Sequence, residues 1–180
     1  TNQRTDEYGG SVEKRMLLAV ELVVAMRKAV GESLLLLYRH SAIDGLPGGT
    51  TIEESARLAK ALEIHWLDAI DVSAGMGRND DLSLPPASAP EGTHAELAAR
   101  IKAKVSIPVI AVGRVQTRAA AEKILQEKKA DLVALGRQLL AVVEHDSLAQ
   151  RERVDLSIGR DIALLGKIRD GIPVFVARVQ

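Results

Sequence analysis

The sequence predicts an α/β protein built on a parallel sheet, and three observations carry that reading. Four short apolar runs, at 34–38, 67–72, 108–112 and 132–135, alternate with stretches of helical period. Alternation of this kind implies parallel strands joined by helical crossovers. The last two runs are bounded by Gly or Pro and contain no polar residue, as in strands covered on both faces. A strand ending in Gly-Arg then occurs twice, at Gly113-Arg114 and at Gly136-Arg137, about 23 residues apart.

Composition narrows the classes open to the chain. Its 180 residues suit one domain with a sizeable core. Lys+Arg and Asp+Glu both number 24, which argues against the basic footprint of a nucleic-acid binder and against a polybasic membrane anchor. No apolar run approaches 18 residues and no signal-peptide pattern is present, so a cytoplasmic location is expected. The absence of cysteine excludes disulfides and thiolate-ligated metals within this segment. Aromatic residues are confined to Phe175, Trp66, Tyr8 and Tyr38, so the core must be built from Leu, Val, Ile and Ala.

The elements follow in order. The polar opening TNQRTDEYGG gives way to Ser11, a good N-cap, and to a helix reaching about residue 30, where Gly31 stops it. Its apolar residues (Leu17, Leu18, Val20, Leu22, Val23 and Met26) are spread widely around the axis. The first strand, 34–38, delivers Arg39, His40 and Ser41 at its carboxyl end, where α/β proteins place ligands. Arg39 is read either as a ligand contact or as a surface arginine paired with Asp44 or Glu53. Thr50 or Thr51 caps a helix over 52–63, with Glu53 and Glu54 in the turn where the dipole favours acids. The second strand, 67–72, carries Asp71, which needs a partner if buried. Residues 76–93 read as a loop broken by Pro85, Pro86, Pro90 and Gly92, and its length suits a ligand cover. A helix over 94–104 leads to the third strand, a helix over about 118–128 to the fourth. Beyond residue 140 the pattern allows two short helices and a terminal strand over 173–179.

The repeated Gly-Arg tip has a chemical meaning. Glycine lets backbone approach a ligand, a helix N-terminus offers N–H groups and positive potential, and arginine adds a fork of donors. Two such tips on neighbouring strands could hold one phosphate. Other chemistries are disfavoured. The histidines His40, His65, His94 and His145 lack metal-ligand spacing, Ser41, Ser73 and Ser88 lack a GxSxG elbow, and no GxGxxG follows the first strand. His40 is read as a satisfied loop histidine or a ligand contact. His65 sits at a helix end, where imidazolium suits the dipole. The charges between Glu122 and Lys129 read as a solvated helix face.

The segments NQRTDEYGGSVEKR (from Asn2), LLYRHS (from Leu36), GGTTIEESARLAKALE (from Gly48), IDVSAG (from Ile70), IPVIAVGR (from Ile107) and KADLVALGR (from Lys129) together resemble the Old Yellow Enzyme family of NADH:flavin oxidoreductases. The resemblance implies a (β/α)8 TIM barrel with FMN at the carboxyl ends of its strands. Residues 1–141 would be the C-terminal half of that barrel, four parallel β/α units corresponding to its strands five to eight, and residues 142–180 a divergent tail. Arg39 would contact the flavin ring near its N1/O2 edge and stabilise the anionic reduced form. Gly113, Arg114, Gly136 and Arg137 would form the FMN phosphate site after the last two strands. The half implied to be missing would hold the family's substrate-gripping residues and its proton-donating tyrosine, so no catalytic residue is assigned; Tyr8 belongs to the opening turn. Glycines of the family pattern are replaced near Ile64-His65-Trp66 and at Lys128, and each replacement costs on the order of 1 kcal/mol if φ there is positive.

The function so implied is hydride transfer from NAD(P)H through FMN to the β-carbon of an activated alkene, a small-molecule substrate, with no nucleic acid or membrane partner. The alternative is a non-catalytic or truncated half-barrel that binds phosphate or FMN, or serves only as an assembly unit. It would complete itself as a homo-oligomer or with a missing N-terminal half. A sugar-phosphate barrel enzyme is disfavoured by Arg39 and the opening segment.

Overall fold

The computed structural model describes residues 2–77, 80–136 and 175–177. Its elements run α1 (Val12–Val30), β1 (Leu37–Ser41), α2 (Ile52–Ile64), β2 (Ala69–Ser73), α3 (Asp80–Ser83), α4 (Ala95–Lys102), β3 (Val109–Ala111), α5 (Arg118–Gln126), β4 (Leu132–Leu135) and β5 (Phe175–Ala177). The sheet order is β1-β2-β3-β4-β5. The first four strands are parallel; β5 lies antiparallel to β4, with Ala134 opposite Val176. The α/β class and the four parallel strands expected from the alternation are therefore present. Of the tail expected over 142–180, only the strand Phe175–Ala177 falls among the described residues.

The helix ends form as their residues dictate. Ser11 Oγ accepts from Lys14 N, and Gly31 closes α1 at φ 67°. Thr51 rather than Thr50 caps α2, in a reciprocal capping box with Glu54. Thr117 caps α5 through Ala120 N. The opening turn is tied down by its own side chains. Asn2 Nδ2 donates to Tyr8 O, Tyr8 Oη donates to Glu21 Oε2 at 3.0 Å, and Arg15 bridges Gly10 O and Glu54.

Packing divides the sheet into two faces, because successive strand residues point to opposite sides. On one side Ile70, Val72, Val109, Ala111 and Val133 meet Val23, Leu62, Ala98, Ile101 and Ile124 from α1, α2, α4 and α5. The other face is built from Ala69, Ile110 and Ala134, flanked by Val112 and Leu132. No residue of a described helix contributes to that second cluster. Burial of each large residue on the helix side, such as Leu62 or Ile101 at 0% exposure, is worth about 1.5–3 kcal/mol.

Two expectations shift. The first strand begins at Leu37, not Leu34, and includes Arg39, His40 and Ser41. Pairing with β2 decides this, running from Leu37↔Ala69 to Ser41↔Ser73, while Leu34 and Leu35 lie outside the ladder and are exposed. The loop over 76–93 contains one helical turn, α3. Among the described residues no helix is long and apolar enough to cross a membrane.

The amino ends of the strands are fastened by a residue the sequence pattern did not flag. Arg27, apart from its aliphatic stem, is a charge on the buried side of α1, only 7% exposed. It donates to Trp66 O, Gly31 O and Leu34 O and pairs with Asp68, whose Oδ2 also accepts from Leu36 N at 2.6 Å. One guanidinium thus closes α1, the entry to β1 and the entry to β2.

Candidate functional site

The site is assembled at the carboxyl ends of β1 to β4. Arg39 and Asp71 are partners in the β1–β2 register and share the face opposite the helices. Arg39 Nη1 donates to Asp71 Oδ2 at 2.9 Å. The sequence left Asp44 and Glu53 open as partners of Arg39; instead Asp44 accepts from Thr50 N at 2.7 Å and Glu53 pairs with Arg100. The two members differ in exposure, with side chains 56% accessible for Arg39 and 10% for Asp71. Burial pushes the Asp71 carboxyl above the usual range, and the Arg39 charge opposes that rise. Asp71 Oδ1 is buried without a hydrogen-bond partner. Among the described residues none accepts from Arg39 Nε or Nη2.

His40 does not share this face. It lies one residue on from Arg39, on the helix side, with its ring centroid 6.1 Å from that of Tyr38. Burial lowers its pKa to about 4, against a smaller opposing pull from Asp44. Its Nε2 is buried without a partner. It is therefore a strand residue, not a loop histidine.

The third strand tip carries Gly113 and Arg114. Gly113 sits at φ +118°, and a Cβ there would come 2.5 Å from His94 Nδ1, so glycine is required twice over. His94, at the N-cap position of α4 and 2% exposed, brings its Nε2 to 2.9 Å from Leu82 O. Burial holds its imidazole below the ordinary value. Arg114 has φ 50° and spends its guanidinium on the preceding loop, with Nε donating to Pro86 O at 3.0 Å and Nη2 to Ala87 O. Glu91 from the same loop reaches the N-terminus of α5, where Oε2 accepts from Thr117 N and Thr117 Oγ1. Gly75, after β2, abuts Ser83 so closely that a Cβ would lie 2.6 Å from Ser83 N. Residues 75–77 and 80–93 are thus folded back over the tips of β2 and β3.

On the fourth tip, Gly136 follows β4, and a Cβ there would meet no described residue within 4 Å. The register Ala111↔Val133 places Gly113 and Gly136 at the same end of adjacent strands. Arg137 lies outside the described residues. The structure accordingly brings Arg39, Gly113, Arg114 and Gly136 to one end of the sheet, but commits the Arg114 side chain and the α5 N-terminus to loop 75–93. The sequence reading missed His94 and Glu91. For Asp71 the available signal was its buried position in an apolar strand; for Glu91 there was none, since its contact joins the loop to a distant helix.

Comparisons with known proteins bear on the family of the chain. A model of the NADH:flavin oxidoreductase / NADH oxidase family matches residues 1–155. The chain is 40% identical over 153 residues to an NADH oxidase of Thermoanaerobacter brockii, covering 85% of this chain and 24% of that protein. It is 40% identical over 145 residues to a metal reductase of Desulforamulus reducens, covering 78% of this chain and 21% of that one. It is also similar to the solved structure of a 2-naphthoyl-CoA reductase bound to 2-naphthoyl-CoA, with TM-score 0.63 and 30% identity over 72% of this chain and 20% of that one. Histamine dehydrogenase from Rhizobium sp. 4-9 gives TM-score 0.61 and 29% identity over 71% of this chain and 18% of its own. The chain spans about a quarter or less of the length of each of these relatives. With a match reaching from the opening turn past the last Gly-Arg tip, the chain belongs to the NADH:flavin oxidoreductase / NADH oxidase family.

Proposed function

We propose that this chain is the flavin-phosphate-binding half of an FMN-dependent NAD(P)H oxidoreductase of the ene-reductase type, its four parallel β/α units being the C-terminal half of a (β/α)8 barrel. The observation that carries the reading is the Arg39 guanidinium, half exposed on the face that no described helix covers, with two nitrogens uncommitted among the described residues, at the same sheet end as Gly113 and Gly136. The barrel reading is supported by the placement of the described helices on one side, since a doubly wound sheet carries helices on both faces. The half-barrel reading is supported by β1. It lies at the end of the sheet, and Leu18, Leu22 and Met26 form an exposed apolar stripe on the neighbouring α1. Such an edge needs covering, by preceding β/α units or by a second copy.

The residues present fit FMN at both of its ends. Arg39 would hold the ring by its remaining donors, and the backbone at Gly136, on the strand beside the compelled glycine at 113, would admit the phosphate. Bound FMN would supply hydride acceptance from NAD(P)H and donation to an activated alkene. The chain's own contribution is positive charge from Arg39, close backbone approach at the glycines, and partial cover from loop 75–93. The backbone of Arg114, not its side chain, would face the phosphate.

The test is retention of FMN by the purified full chain. Flavin absorbance should persist through desalting at micromolar FMN, and Arg39→Met should weaken it at least tenfold. A wild-type chain that carries no flavin under those conditions overturns the reading. FMN that binds but is never reduced by NADH selects the non-catalytic half-barrel instead.

A further inference from the structure

We propose that Asp71 is the positioning residue for Arg39, fixing the guanidinium at the strand tips and tempering the positive charge that a cofactor there would meet. The inference rests on the reading above that Arg39 faces FMN. Asp71 lies directly opposite Arg39 in the ladder, at 2.9 Å, so the pair is set by strand register and not by flexible side chains meeting at a surface. On that face Ile110 lies opposite it on β3 and Ala69 before it on β2, while Ser73, after it, gives its hydroxyl to His40 O and not to the carboxylate. A carboxylate in such a setting, with Oδ1 buried and unpartnered, is expensive as a purely structural device. An apolar pair of similar volume would serve the fold as well or better.

The arrangement has a distinct consequence for charge. The bond uses only Nη1, and the Arg39 side chain stays 56% accessible, so the rest of the fork is left for other acceptors. Charge close to a flavin ring is one of the protein's means of setting its redox behaviour. An arginine alone would favour the reduced, more anionic cofactor; an arginine with an adjacent carboxylate favours it less.

The experiment compares wild type, Asp71→Asn, Asp71→Glu and Glu53→Gln as full chains, reading FMN affinity and the midpoint potential of bound FMN by equilibration with redox dyes. Asp71→Asn should favour reduced over oxidised FMN by about tenfold, a rise of about 30 mV for a two-electron couple. Asp71→Glu, which keeps the charge but displaces the fork, should weaken FMN several-fold with the potential near wild type. Glu53→Gln makes the same charge change at an exposed residue paired with Arg100 and should shift neither. Where Asp71→Asn does not fold, Asp71→Ser is read in its place. An unchanged potential in a folded, FMN-loaded Asp71→Asn or Asp71→Ser overturns the inference and leaves the proposed function standing. Failure of the wild type to bind FMN overturns both.

Discussion

The Glu91 carboxylate sits on the N-terminus of α5, its Oε2 2.8 Å from Thr117 Oγ1 and 3.2 Å from Thr117 N. This is the helix end that the sequence offers to a ligand anion, and an acid from the chain's own loop has taken it. The bond from the Thr117 hydroxyl, with those from the Thr117 and Gln116 amides, holds the Glu91 carboxyl below the usual range. Together with Arg114 on Pro86 O and Ala87 O, the contact fastens residues 86–91 over the third strand tip.

Glu91→Gln should therefore loosen the loop and favour anions. Stability should fall by about 1 kcal/mol, since the contact is exposed. Inorganic phosphate should bind several-fold more tightly, measured by calorimetry on the full chain. An unchanged phosphate affinity would separate the α5 terminus from the anion site.

Gly113→Ala should be among the most disruptive small substitutions. It combines a left-handed φ with a Cβ placed against His94, and a cost of at least about 2 kcal/mol is expected. His94→Ala in the same chain should recover the steric part. Urea midpoints of the two single variants and the double variant measure that coupling directly.

Trp66→Gly and Lys128→Gly should stabilise. Both residues hold positive φ, 64° and 56°, and relief of that strain is worth about 1 kcal/mol at each. Arg114, at φ 50°, is the contrasting case. Its glycine variant would relieve the same strain but lose the bonds to Pro86 and Ala87, so its urea midpoint should not rise.

Arg27→Met should destabilise strongly, by about 3–5 kcal/mol, because it leaves the Trp66 and Leu34 carbonyls and the Asp68 carboxylate without their shared donor. Arg27→Lys should recover little, since one ammonium cannot span partners on three segments. Thermal melts of the three proteins decide this.

His40 should give the fold an acid-sensitive limb. Its folded pKa of about 4 lies below the ordinary histidine value, so the unfolded chain binds more protons between those values. Stability is present above the unfolded pKa and is lost as pH falls toward 4, by on the order of 3 kcal/mol. His40→Phe should flatten this limb in urea titrations between pH 7 and pH 4. An unaltered slope would assign the acid sensitivity elsewhere.

What the sequence determined by itself was everything governed by local period and by residues with one conformational use. Alternating apolar runs yielded the parallel strands, and Ser11 and Gly31 marked helix ends because their capping chemistry is local. The repeated Gly-Arg tips pointed to the sheet end proposed for the site, and the family resemblance, through its replaced glycines, pointed to the positive φ that Trp66 and Lys128 carry. Tertiary structure alone decided the partners. Whether Arg39 would meet Asp44, Glu53 or Asp71 depended on strand register, which shifted β1 by three residues from its apolar run. Glu91 on α5, His94 against Gly113 and Arg27 beneath two strands join residues distant in sequence or on separate elements, and no periodicity encodes such contacts. Local patterns fix which backbone forms; only packing fixes which charge finds which.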